Sequence, residues 1–126
     1  MRDQINAALV DGRLPCLSAF DIAARAAVTP LAVGQEADVM DVRVSHCQLG
    51  LFGYGDKRLG LHRIVRAPAT LHTALGAALG AAATDGRVTC QELWQIAAEL
   101  SLPRLAVSGG AEALNLKVVR CQLGCF

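Results

Sequence analysis

Residues 47–52 read Cys47-Gln48-Leu49-Gly50-Leu51-Phe52, and residues 121–126 read Cys121-Gln122-Leu123-Gly124-Cys125-Phe126. The two hexapeptides differ at one position and lie 74 residues apart. At the same offset, Asp11-Gly12-Arg13 falls on Asp85-Gly86-Arg87, Cys16 on Cys90 and Ile22-Ala23-Ala24 on Ile96-Ala97-Ala98. Leu31-Ala32-Val33 likewise falls on Leu105-Ala106-Val107. Residues 11–52 thus align with 85–126 without a gap, with 17 identities in 42 positions. Self-similarity at a fixed offset marks a duplicated structural unit. The chain divides into a first repeat (1–52), a basic linker (53–67) and a second repeat (68–126).

Each copy has a readable order of elements. A leading helix, about 2–10 and 69–83, ends at an Asp-Gly turn. In the second copy Leu71, Leu75, Ala78, Leu79 and Ala82 form its apolar stripe. A short extended piece follows, Arg13-Leu14 or Arg87-Val88. Thr89 and Glu92 have capping-box spacing, so the next helix starts at Cys90 and, by alignment, at Cys16. Thr29-Pro30 reads as an N-cap followed by proline at the first helical position, opening a third helix. Gly109-Gly110 predicts that the third helix of the second copy is shortened or loosely formed. Alternation in Val42-Arg43-Val44 and Leu116-Lys117-Val118 then marks a strand. Gly50 and Gly124 supply a turn conformation, folding Leu49 and Phe52 back to close a small core that has few other aromatics.

Composition bounds the class. The chain has 126 residues and a formal net charge of +1, is 53% hydrophobic and 18% charged, and is 4% aromatic. That balance excludes a disordered chain, and it excludes a strongly basic nucleic-acid coat or anionic-membrane binder. Alanine occurs 22 times, which predicts close helix packing around a thin core in which Phe52, Trp94 and Phe126 matter. The start, Met1-Arg2-Asp3-Gln4, lacks a signal-peptide apolar core, and the uncharged run Ala67–Thr84 is too weakly apolar to span a bilayer. The expectation is a cytoplasmic protein with no membrane partner and reduced thiols.

Helix, short strand, helix, tight turn, helix, strand is the order of a winged helix-turn-helix unit, and both copies resemble that superfamily. The resemblance implies a mostly α fold: tandem winged-helix-like three-helix units with minimal β-hairpins. The copies are expected to pack about a pseudo-twofold axis, since some 45 residues enclose little core. Leu61–Val65 is the candidate second wing strand of the first copy. The implied function is nucleic-acid binding, as a DNA-binding transcription regulator. A protein-interaction adaptor on the same fold is the alternative, and a cysteine-based redox or metal sensor is a third. DNA or a protein is therefore the expected partner, with homodimerisation open, and no cofactor is called for.

In the superfamily the third helix enters the major groove. The positions expected to be exposed there are Gly34, Gln35, Glu36 and Asp38 in one copy, and Arg104, Ser108, Gly109 and Glu112 in the other. Gln35, Arg104 and Ser108 are the candidates for base contact. Arg13, Arg43, Lys57, Arg58, Arg63, Arg87 and Lys117 form a candidate phosphate-gripping stripe along linker and strands. Cys16, Cys47, Cys90 and Cys121 recur in both copies and form a possible thiol or metal site, although strict alternation puts Cys47 on the face of Arg43. No paired carboxylates, phosphate loop or nucleophile–histidine arrangement argues for an enzyme.

Overall fold

The computed structural model describes the whole chain, Met1–Phe126. The first copy comprises α1 (Arg2–Ala8), β1 (Leu14–Pro15), α2 (Cys16–Ala26), α3 (Pro30–Val39) and β2 (Val44–Ser45). The second comprises α4 (Thr73–Ala82), β3 (Arg87–Thr89), α5 (Cys90–Leu100), α6 (Arg104–Ala113) and β4 (Lys117–Val119). The linker holds one 3-10 turn at Lys57–Leu59. The protein is mostly helical, and the element order repeats.

Local chemistry sets the helix starts. Thr89 Oγ1 accepts the Glu92 N–H at 3.1 Å while Glu92 Oε1 accepts the Thr89 N–H at 2.9 Å, so α5 begins with the expected capping box. In the first copy Pro15 and Ser18 replace that pair, and α2 starts without a side-chain cap. Thr29 caps α3 by accepting the Ala32 N–H at 3.1 Å, with Pro30 following. The leading helices are shorter than their apolar stripes predict. His72 caps the second one, its Nδ1 accepting the Leu75 N–H at 3.2 Å, so α4 starts at Thr73 and not at 69.

The strands correct the expected hairpins. β1 pairs with β2 and β3 with β4, both parallel, with Leu14 opposite Val44 and Val88 opposite Val118. Two helices intervene between the strands of each pair, so the second strand returns in the direction of the first. Antiparallel pairing is confined to single bridges across the Asp-Gly turns, Val10 with Arg13 and Thr84 with Arg87. The wing strand at Leu61–Val65 does not form. That segment curls back within the linker, where the Tyr54 and Gly55 N–H groups donate to the His62 and Leu61 carbonyls.

Beyond β2 and β4 the chain departs from alternation. His46 (φ +51°) and Arg120 (φ +54°) take the left-handed conformation, which turns Cys47 inward to 6% exposure. The hexapeptides then close as tight turns: the Cys47 N–H donates to the Phe52 carbonyl at 3.3 Å and the Cys121 N–H to the Phe126 carbonyl at 3.0 Å. Gly50 (φ +72°) and Gly124 (φ +80°) reverse the chain as the sequence predicts.

These turns do not close their own cores; each is exchanged with the other copy. Leu49, fully buried, packs among Leu75, Leu79, Val88, Leu93 and Val107 of the second copy. Leu123, 2% exposed, packs among Ile5, Leu14, Ile22 and Val33 of the first. Glycine positions show the same reciprocity. A Cβ on Gly50 would meet Leu105, and one on Gly124 would meet Leu31, the residue equivalent to Leu105. Trp94 packs against both cores and against Phe20, with ring centroids 4.3 Å apart. Burying one leucine contributes about 1.5–3 kcal/mol, so the two exchanged leucines supply a large part of a stability that is typically about 5–15 kcal/mol. The copies are one folding unit.

The glycine pair in α6 is also a correction. The helix has the same ten-residue length as α3, and the glycines are packing positions. A Cβ on Gly109 would lie 2.6 Å from the Arg66 carbonyl oxygen, and one on Gly110 would lie 2.7 Å from Leu75. Neighbouring chain supplies the stability that intrinsic helix propensity lacks.

Candidate functional site: two repeat-related clefts and a thiol cluster

Three of the third-helix positions expected to be exposed are covered. Gly34 sits under the second copy's turn, where a Cβ would lie 1.8 Å from the Leu123 carbonyl oxygen. Ser108 is 2% exposed, and Gly109 is buried under the linker backbone at Arg66. Arg104 is committed within the molecule: its guanidinium lies 3.6 Å from the Trp94 ring centroid, and Nη1 donates to Gln48 Oε1 at 3.3 Å. Of the three candidate base readers only Gln35 is exposed. Copy-to-copy packing was not encoded in the helix pattern, so the pattern misassigned these faces.

The basic residues gather instead around two clefts. The larger, about 1270 Å³, is lined by Arg13, Arg43, Lys57 and Arg58, together with Asp11, Asp38, Asp41 and Asp56. The smaller, about 650 Å³, is lined by Lys57, Arg63, Lys117 and Arg120 with Glu112 as its sole acid. Arg87 lines neither; it is exposed on β3, opposite Lys117 in the strand register. Lys57, His62 and Phe52 border both clefts, which therefore adjoin along the linker.

The clefts are copies of each other. Subtracting 74 from Ser108, Glu112, Leu116, Lys117, Val118, Val119 and Arg120 of the smaller cleft gives Gly34, Asp38, Val42, Arg43, Val44, Ser45 and His46. All seven line the larger. The duplicated frame therefore builds one concavity twice, between the third helix, the second strand and the exchanged turns. Arg120, His62 and Phe126 are site residues that the sequence reading left out of its candidate set. The offset that maps Arg120 onto His46 was the signal that could have found the first of them.

The two walls carry different chemistry. In the first cleft four acids face four bases; Arg58 pairs with Asp56 at 3.6 Å. Ser45 Oγ lies 2.9 Å from His46 Nδ1, and the His46 ring meets Tyr54 edge-on at 5.3 Å. The Tyr54 hydroxyl donates to the Cys47 carbonyl at 2.6 Å. In the second cleft only Arg63 has an acidic partner, Glu112. Two buried polar atoms there, Ser108 Oγ and His62 Nδ1, have no hydrogen-bond partner. Phe52 and Phe126 form its aromatic wall, edge-to-face with centroids 6.2 Å apart.

The four repeat-related cysteines fall into two pairs across the copies, because the exchanged turns carry Cys47 into the second copy's core and Cys121 against the first. Cys47 and Cys90 share one core, Cys16 and Cys121 border the other, and all five thiols are free. Burial pushes Cys16 up to about 12 and raises Cys47 and Cys90 as well, which keeps those three protonated and unreactive at neutral pH. Cys121 differs. A hydrogen bond from the Cys125 thiol holds it down to about 6, helped by the backbone N–H groups of Leu123, Gly124 and Cys125. Cys125 is exposed and its own thiol is raised by the same pairing.

No His, Cys, Asp or Glu side chains are grouped to hold a metal ion. The spacing Asp85-Gly86 to Glu92 matches the second half of an EF-hand calcium loop, but the first-half ligand positions are Ala81 and Ala83. Glu92 is occupied in capping α5. No helix is long and apolar enough to cross a membrane by itself. Compared with family models, with curated proteins and with solved structures, the chain matches none.

Proposed function

We propose that this chain is a nucleic-acid-binding regulatory protein, built from two winged-helix-like units, that grips the phosphate backbone from its linker and strand ends. The observation that carries this reading is the convergence of cations from three separate segments on adjoining clefts. Arg13 and Arg43 come from the first copy, Lys57, Arg58 and Arg63 from the linker, and Lys117 and Arg120 from the second copy. Contacts of that kind position a protein on nucleic acid without reading sequence. Base readout through α3 and α6 forms no part of the proposal, because Ser108 is buried and Arg104 is held on Trp94.

The test is binding to a random duplex across a salt series. Backbone contact by a few cations predicts an affinity that falls with salt, with a log–log slope of about −0.9 per phosphate neutralised. Replacing Lys57 and Arg58 together with glutamine should reduce that slope. Binding no tighter than about millimolar at low salt would sink the reading. The adaptor reading is favoured by one feature, the four aspartates in the first cleft, which repel phosphate and suit a basic peptide.

A further inference from the structure

We propose that the second cleft is a binding site for a small organic anion, a carboxylate or phosphate ester carried on a compact apolar body. Its volume, about 650 Å³, is that of a small-molecule pocket. Lys57, Lys117 and Arg120 converge on it with no carboxylate partner, while Arg63 is already matched to Glu112. Three unmatched like charges around a concavity raise its positive potential and concentrate a counter-ion there. Ser108, on α6, borders the same space with 2% of its surface exposed and its Oγ unpartnered. A buried hydroxyl without a partner costs free energy, and an anionic oxygen accepting its proton removes that cost. His62 Nδ1 is a second unpartnered buried atom at the same place.

The rest of the wall selects the body of the ligand. Phe52, Leu116 and Val118 are apolar and partly buried and Phe126 is exposed beside them, so a bare inorganic anion would leave this wall unused. The repeat-related cleft supplies the contrast. There Gly34 has no hydroxyl and is covered by the Leu123 carbonyl, His46 stands in the place of Arg120, and aspartates balance the bases. The proposal shares Lys57, Lys117 and Arg120 with the nucleic-acid reading, and the buried Ser108 hydroxyl and the apolar wall set it apart.

The experiment uses the full chain and amide chemical-shift titration with phenyl phosphate, benzoate, benzamide and inorganic phosphate. Phenyl phosphate and benzoate should shift amides of α6, residues 117–120 and Phe126, and bind about tenfold or more tightly than benzamide or phosphate. Lys117→Met with Arg120→Met, both exposed, should weaken phenyl phosphate about tenfold or more, and Ser108→Ala a few-fold, about threefold or greater. Arg25→Met on α2, outside both clefts, should leave phenyl phosphate affinity unchanged. Benzamide binding as well as benzoate, phosphate binding as well as phenyl phosphate, shifts confined to the first cleft, or no saturable shift would each overturn the proposal. Duplex DNA run in parallel separates the two readings. Ser108→Ala should leave DNA affinity unchanged while lowering that for phenyl phosphate, whereas an equal loss for both would assign the cleft to backbone phosphate and overturn the small-ligand site.

Discussion

The two clefts share a frame and differ in what fills it. The same third helix, second strand and tight turn build both, yet the first is charge-balanced and pressed shut at Gly34, whereas the second is cationic and holds a hydroxyl without a partner. Duplication therefore copied a shape and left the chemistry of the walls free to diverge. Core positions stay apolar in both copies, and each copy's turn completes the other copy's core. At the walls histidine faces arginine across the offset, and glycine faces serine at the point where the Leu123 carbonyl leaves no room for a Cβ.

The largest test of this comparison is the exchange itself. Leu49→Ala should cost about 2–5 kcal/mol, as for a fully buried leucine, with hydrogen-exchange protection lost first in α4, α5 and α6. Leu123→Ala should do the same to α1, α2 and α3. Protection lost instead in the mutated residue's own copy would break the claim that the turns are exchanged. Next is Gly34→Ser, which gives the first cleft the residue of the second. Its Cβ meets backbone at Leu123, so a loss of about 1–3 kcal/mol in urea unfolding is expected. A neutral result would mean that the two clefts can be interconverted by side chains alone.

A third test uses the thiols. For Cys16 the folded pKa is raised from 9.0 to about 12, so its contribution is complete below pH 9 and is lost as pH rises towards 12. Cys47 and Cys90 act in the same direction. For Cys121 the folded pKa is lowered to about 6, so its contribution is complete above pH 9 and is lost as pH falls through 6. Stability measured by urea unfolding under reducing conditions should therefore rise from pH 6 towards pH 9 and fall above it. A flat profile from pH 6 to 12 would contradict the assigned burial. The smallest effect is expected at the rim: Arg63→Gln, which breaks the half-exposed pair with Glu112, should change stability by about 1 kcal/mol or less.

Some of this was legible in the residues. The repeat, the helix starts at Cys16 and Cys90, the Thr29-Pro30 cap and the glycine turns all follow from local rules, because caps and turns are decided within a few residues. The strands themselves were legible, whereas their parallel pairing was not. Wing strand and hairpins were expected from the superfamily resemblance, and residues 61–65 did not form one. Ser108, Arg104 and Gly109 looked like an exposed face because a helix pattern records polarity and not what later covers it.

The sequence by itself determined a mostly helical, duplicated chain and the positions of its caps and turns, since those depend on steric and hydrogen-bonding preferences local to each segment. Only the tertiary structure decided that Leu49 and Leu123 change places, and with them which glycines must be small. It also decided which cations gather in one concavity. Burial and electrostatic convergence depend on residues far apart in the chain, such as Ile5 and Leu123, meeting in space, and no local preference carries that information.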